Sequence, residues 1–300
     1  MRGILLMIGA VTIFTVMTSF IKVTAGHVPP GQAVFFRSLL SVPVVMVWLW
    51  SKGELKGGLS TQRPWSHIRR GVAGTMAMGL GFAGLAYLPL PEVTAIRFTT
   101  PILLVILAAL LLGERIRLVR ISAVFAGLLG VIIILWPRLG AGLDAGAFGA
   151  LLTLGSALMA AFAQVFVKSM AGTEKTAAIV FYFSMTAALL SLLTLPFGWV
   201  IPTPRELALL VTAGLIGGVG QILLTSSYRF ADAGVLAPFT YVSMLWALVI
   251  GYVFFAEVPT VPMLSGAALI IGAGALIVWR ERQLGQEKTA QRKVDAKGLQ

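Results

Sequence analysis

Two arginines stand inside long apolar stretches, Arg37 in residues 32–51 and Arg97 in residues 92–112. A guanidinium holds its donors in a planar fork that fits a carboxylate, a phosphate or a carbonyl-rich ring. An ionisable group surrounded by apolar chain marks a functional place by default. Each lies about five residues in from one end of its stretch, roughly 7 to 8 Å deep at ~1.5 Å per residue. Arg37 reads as a scaffold or gating group that reaches outward to water or to carbonyls at a helix end. Arg97 reads as a ligand contact, with Glu92 as its nearby structural partner. Neutral groups complete the set. Thr12, Thr15 and Ser19 share one helical face, and Gln164, Gln221 and Thr225 carry amides and hydroxyls that must be paired away from water. Phe98, Tyr241 and Trp246 offer surfaces for a flat ring. The candidate binding residues are therefore Arg97, Phe98, Tyr241, Trp246, Gln164, Gln221, Thr15 and Ser19. The candidate structural or gating residues are Arg37, Pro101, Pro238, Glu114 and Glu257. Each proline frees a carbonyl one turn earlier and can hinge its helix. Glu114 and Glu257 each end a helix where the dipole disfavours an anion, so a cation or a backbone N–H must hold them.

Other chemistry is absent. The chain has no cysteine, which removes disulfides, thiolate metal sites and a cysteine nucleophile. It has no His-Glu-x-x-His run, no Gly-x-Ser-x-Gly elbow with a histidine inside a span, and no pair of carboxylates within a span. We expect no enzymatic activity, no cofactor and no metal.

The elements that position these residues follow from composition. Of 300 residues, 58% are hydrophobic and only 11% charged, with a mean hydropathy of +0.94, far from soluble usage. Stretches near 3–22, 32–51, 69–88, 92–112, 118–136, 145–168, 176–198, 206–228, 233–256 and 260–279 have the length that crosses a bilayer. They are too long and too continuously apolar for barrel strands, so the class is an all-α membrane protein with ten transmembrane helices. The first stretch is too long for a signal peptide and reads as retained. The net charge of +12 is distributed by topology. With the amino terminus inside, 18 Lys and Arg fall on the cytoplasmic side and three on the other. Both termini are then cytoplasmic, and the basicity does not call for nucleic acid.

The chain also repeats itself. Gly9, Phe20, Lys22, Phe35 and Ser38 recur 146 residues later as Gly155, Phe166, Lys168, Phe181 and Ser184. Gly71, Gly74, Leu80, Glu114, Ser122 and Trp136 recur 143 residues later as Gly214, Gly217, Leu223, Glu257, Ser265 and Trp279. Five spans per copy is odd, so the copies are inverted in the membrane. Residues 1–138 form the first five-helix repeat, Pro137 to Asp144 the link, 145–280 the second repeat, and 281–300 a disordered cytoplasmic tail. The loop Gly113-Glu114-Arg115-Ile116-Arg117 returns as Ala256-Glu257-Val258-Pro259-Thr260. Its glutamate is kept and its arginines are dropped, as a change of membrane side requires. The glycines of spans three and eight permit close helix approach and place both spans centrally.

Several stretches resemble the drug/metabolite transporter superfamily, in particular the EamA-type ten-helix transporters. They are Phe35-Phe36-Arg37, Thr99-Thr100-Pro101, Leu112-Gly113-Glu114-Arg115, Ser227-Tyr228-Arg229 and Ala237-Pro238-Phe239-Thr240-Tyr241, with Glu257 beyond. The Arg63-Pro64-Trp65 and His67-Ile68-Arg69-Arg70-Gly71 runs are similar to a branch that includes riboflavin importers and S-adenosylmethionine importers. The resemblance implies a central cavity between the halves, lined by spans one, three, four, six, eight and nine and opened alternately to each side. An inverted repeat fits such a carrier. The implied function is secondary or facilitative transport of a small organic metabolite across the cell inner membrane. Riboflavin or a similar aromatic heterocycle comes first; S-adenosylmethionine uptake and amino-acid or metabolite export remain open. Expected partners are the small-molecule substrate and the lipid bilayer, with a homodimer allowed and nucleic acid excluded. Both histidines read as loop residues and no Asp or Glu falls in the interior of a span, Glu92 and Glu206 standing at span ends, so flux follows the solute gradient rather than proton exchange.

Overall fold

Proline sets where several helices begin, because its fixed φ suits a first turn whose N–H has no intrahelical partner. Pro30 opens α2 (Pro30–Leu39), Pro64 opens α4 (Pro64–Leu85), Pro91 sits in the first turn of α5 (Leu90–Arg97) and Pro204 opens α10 (Pro204–Phe230). At α10 the cap is reciprocal: Glu206 N–H donates to Thr203 Oγ1 at 3.3 Å, and Thr203 N–H donates to Glu206 Oε2 at 2.8 Å, a capping box. The remaining helices are α1 (Arg2–Thr24), α3 (Ser41–Ser51), α6 (Thr100–Leu112), α7 (Leu118–Leu139), α8 (Ala145–Met170), α9 (Thr176–Leu192), α11 (Val242–Phe255) and α12 (Val261–Leu276). The computed structural model describes residues 2–55, 57–112, 118–139, 145–170, 172–230, 236, 239–276 and 279. Glu114, Pro238, most of the Pro137–Asp144 link and the 281–300 tail lie outside the described residues.

Proline also breaks spans. The second expected span is divided between α2 and α3 at Leu40, where Pro43 offers no N–H to the Leu39 carbonyl. The fourth is divided between α5 and α6 at Phe98 and Thr99, where Pro101 leaves the Arg97 carbonyl without its usual donor. The Thr100 hydroxyl donates to that carbonyl at 2.7 Å, while the N–H groups of Phe98 and Thr99 turn back to Ala95 and Ile96. The ninth span turns at Tyr241, the repeat counterpart of Phe98. Both copies therefore interrupt the same helix at the same position, although their prolines are not equivalent.

Packing exchanges the two halves. α1 runs along α10, and its counterpart α8 runs along α4. Glycine contacts repeat in the same way: a Cβ on Gly9 would stand 3.5 Å from Leu223, and one on Gly155 would stand 3.4 Å from Leu80. Gly71 meets Thr186 while Gly214 meets Leu40, and Gly74 meets Phe183 while Gly217 meets Arg37. Each pair maps onto the other by the repeat offsets, so a twofold pseudo-symmetry relates the halves. α7 and α12 cross at backbone contact, with Gly130 against the Gly266 carbonyl and Gly266 against the Gly130 carbonyl, as small residues allow in lipid. The outer surface carries Leu5, Trp50, Phe197, Ile201 and Phe254, all well exposed. Among the described residues, Arg2–Thr24, Pro30–Ser51, Ala145–Val167 and Pro204–Phe230 are long and apolar enough to cross a membrane.

Candidate functional site

Two positions meet their own repeat counterparts, so both lie on the pseudo-twofold axis. The first is Phe98 with Tyr241, edge to face with ring centroids 5.0 Å apart and an interplanar angle of 81°. Phe98 is buried and Tyr241 half-buried, and the helix breaks at both positions aim the two rings together. The second is Arg37 with Phe183, the guanidinium carbon 5.4 Å from the ring centroid.

Arg97 lies beside the first pair in sequence. Its side chain is exposed, yet Leu90 and Val93, which share its helical face at seven and four residues back, are buried. Its guanidinium lies against Gly81 of α4, beside the Ser156 hydroxyl of α8. That exposure is therefore to space inside the bundle. Gln164 is also exposed, on a face of α8 whose Thr153 and Ala157 are fully buried. Trp246 behaves differently. It is 40% exposed and shares its stripe of α11 with Val249 and Val253 at 52% and 64%. The structure sets it on the outer apolar surface and does not bring it to the Phe98–Tyr241 pair.

Thr15 and Ser19 are buried on α1, and their hydroxyls donate to the Val11 and Val16 carbonyls at 2.8 and 2.7 Å. Each keeps acceptor lone pairs only. Gln221 of α10 is buried and accepts from Arg37 Nη2 at 3.2 Å. Arg37 does not reach outward; it is 3% exposed and packs between Gln221 and Phe183. Arg70 joins it, against the expectation that only Arg37 and Arg97 lie inside spans. α4 begins at Pro64 rather than near 69, which carries Arg70 into the bundle at 7% exposure, with its guanidinium carbon 4.0 Å from the same Phe183 centroid. A composition window could not see this, because Arg70 closes a polar run.

Two polar clusters tie the ends of the bundle. At one end Lys22 Nζ pairs with Glu257 Oε1 at 2.9 Å and donates to the Leu88 carbonyl at 2.7 Å, while Leu90 N–H donates to Glu257 Oε2 at 2.9 Å. Glu257 is placed by the end of α11, where Ala256 adopts φ 52° and Glu257 N–H reaches back to the Gly251 carbonyl. At the opposite end His67 is not a loop residue: it lies in α4, 3% exposed, with Nε2 3.3 Å from Glu174 Oε2. Glu174 Oε1 accepts from Gln62 N–H at 3.0 Å. Burial pushes the Glu174 pKa up, but hydrogen bonds from Gln62, His67 and Thr61, with the charge of His67, hold it below the usual carboxylate value. Arg63 and Lys175 donate across the same junction to the Ser169 and Gly57 carbonyls. Among the described residues no group of His, Asp and Glu could hold a metal.

The pattern of the EamA-like transporter family matches residues 1–136 and again 147–279. A riboflavin transporter of Rhizobium johnstonii is 31% identical over 277 residues, covering 91% of this chain and 88% of that protein. A pseudopaline exporter of Pseudomonas aeruginosa is 29% identical over 272 residues, covering 90% and 94%. An S-adenosylmethionine uptake transporter of Rickettsia bellii is 29% identical over 259 residues, covering 86% of each. One solved crystal structure superposes with a TM-score of 0.68 over 94% of this chain and 98% of its own, at 21% identity, a likeness of fold.

Proposed function

The chain belongs to the EamA-like transporter family, and from that premise we propose that it is a secondary or facilitative carrier moving a small organic metabolite across the inner membrane. Two inverted halves alternate in exposing a site on their common axis. The observation that carries this reading is the pair of axial self-contacts, Phe98 with Tyr241 and Arg37 with Phe183, flanked by the inward-facing Arg97 and by Gln164. A site on the axis sees the same surroundings whichever half opens. With Arg70 drawn into the bundle, the remaining bias of 17 Lys and Arg to three supports both termini inside and the Lys22–Glu257 end outside.

The substrate that fits first is riboflavin or a similar aromatic heterocycle. The Phe98 and Tyr241 rings offer an edge and a face to a flat ring, and Arg97 and Gln164 offer donors to its carbonyls. Relatives named for riboflavin, S-adenosylmethionine and pseudopaline keep S-adenosylmethionine uptake and metabolite export as the alternatives. Uptake of labelled riboflavin into proteoliposomes, with and without a pH gradient, tests the reading. Saturable uptake that falls at least tenfold in Tyr241→Ala and Arg97→Ala is expected. Uptake equal to empty liposomes removes the flavin; a pH-gradient requirement replaces facilitated flux with proton coupling, for which the His67–Glu174 pair supplies titratable groups.

A further inference from the structure

We infer that Arg37 and Arg70 form an oxyanion subsite on the pseudo-twofold axis, which takes a carboxylate or phosphate of the transported solute. The inference rests on the carrier reading and not on the flavin: it gives the cargo a carboxylate or phosphate, which riboflavin lacks, and so favours an alternative such as S-adenosylmethionine, which carries a carboxylate. Both guanidinium carbons lie within 5.4 Å of one ring centroid, that of Phe183, and both residues are more than nine-tenths buried. Nε and Nη1 of each arginine have no hydrogen-bond partner; among the described residues the one hydrogen bond these side chains make is from Arg37 Nη2 to the Gln221 amide oxygen, which is neutral. Glu174, which holds His67 three residues before Arg70 on α4, already spends its two oxygens on Gln62 and His67. Two like charges in a low-dielectric interior repel and lose hydration, so scaffold alone does not favour the arrangement. An apolar pair would stabilise the fold better.

Space has been kept for these groups. A Cβ on Gly74 would overlap Arg70 Nη1 and stand 2.7 Å from Phe183, and a Cβ on the matched Gly217 would stand 3.4 Å from Arg37 Nε. The same matched glycines thus admit a guanidinium on each side of the axis. Ser38 and its counterpart Ser184, next in sequence to Arg37 and Phe183, are fully buried with unpartnered hydroxyls. Planar forks converging on one ring suit a flat oxyanion, whose negative charge offsets both cations at once. On α4, Arg70, Gly74, Ala77 and Gly81 share one face; the Arg70 guanidinium lies at Gly74 and that of Arg97 at Gly81, seven residues on, so the two stand about 10 Å apart along a track of small residues.

The test is thermal unfolding of the full chain in detergent micelles, followed by tryptophan fluorescence at constant ionic strength in chloride. The probes are benzoate, phenyl phosphate and the uncharged benzamide. Benzoate or phenyl phosphate should raise the unfolding temperature and benzamide should not; the better of the two anions identifies the group. Arg70→Gln should weaken the anion response at least tenfold while leaving the ligand-free unfolding temperature equal or higher, because one of two repelling charges is gone. Arg70→Lys, which keeps the charge and loses the fork, should respond more weakly than the parent. Benzamide matching benzoate, or an undiminished anion response in Arg70→Gln, overturns the subsite. So does a ligand-free fall in Arg70→Gln with no anion response in the parent, which makes the charges structural. Because no flux is measured, a carrier of neutral solutes that ignores all three probes refutes the subsite and leaves the transport reading standing.

Discussion

Replacing Glu257 by glutamine and Lys22 by methionine, singly and together, isolates the ion pair that ties α1 to the end of α11 and the start of α5. Glutamine still accepts the Leu90 N–H, so Glu257→Gln removes the charge and little else. At 2.9 Å, with side chains 12% and 15% exposed, the gross attraction is about 5 to 6 kcal/mol at an effective dielectric of about 20. Desolvation of both ions offsets more than half, leaving a coupling of about 2 kcal/mol. Each single variant should therefore lose about 2 to 3 kcal/mol and the double variant little more. The assay is reversible unfolding in mixed micelles, analysed as a double-mutant cycle. The same coupling, about 30-fold in an equilibrium constant, should shift the closed state of this end toward opening. Since the chain has no cysteine, a single cysteine at the buried Thr24 reports that shift by its labelling with an impermeant thiol reagent on intact cells. Strict additivity, with coupling under about 0.5 kcal/mol, refutes the energetic reasoning, and unchanged labelling refutes the closure.

Other outcomes follow from single residues. Gly74→Ala should cost about 1 to 3 kcal/mol through overlap with Arg70 and Phe183, whereas Gly79→Ala, whose Cβ meets nothing within 4 Å, should be neutral or stabilise by up to about 1 kcal/mol; thermal melts compare them. Because Glu174 is held below its usual pKa, its contribution is full above about pH 4.3 and is lost as pH falls through the lower folded value; Glu174→Gln should flatten that acid limb of the melting temperature. Ala256→Gly should stabilise by up to about 1 kcal/mol by relieving the left-handed backbone at φ 52°. Trp246→Ala should leave uptake unchanged, since its ring faces the outer surface.

Parts of the candidate site are legible in the sequence, for different reasons. Phe98 and Tyr241 are equivalent by the repeat offset, but that they meet is decided by the fold, which sets this position on the axis. Arg97 and Gln164 stood out because polar groups are rare in apolar stretches. Arg70 and His67 were missed because both lie in a polar run that looks like a loop, and only the helix start at Pro64 draws them inside. Trp246 stands apart from the Phe98–Tyr241 pair, because aromatic type says nothing about which face of a helix meets lipid.

The order of apolar and polar residues by itself determined a membrane-spanning helical bundle, its duplication and the charge bias between its two sides. Those properties depend on transfer from water to lipid and on covalent order, and both are local. Tertiary structure alone decided which buried charges acquire partners. Lys22 found Glu257 and His67 found Glu174, while Arg37 and Arg70 converged on Phe183 with no acid paired to them among the described residues. Pairing depends on distances of a few ångströms between helices far apart in sequence, and these are set by how glycines let the two halves close on their axis.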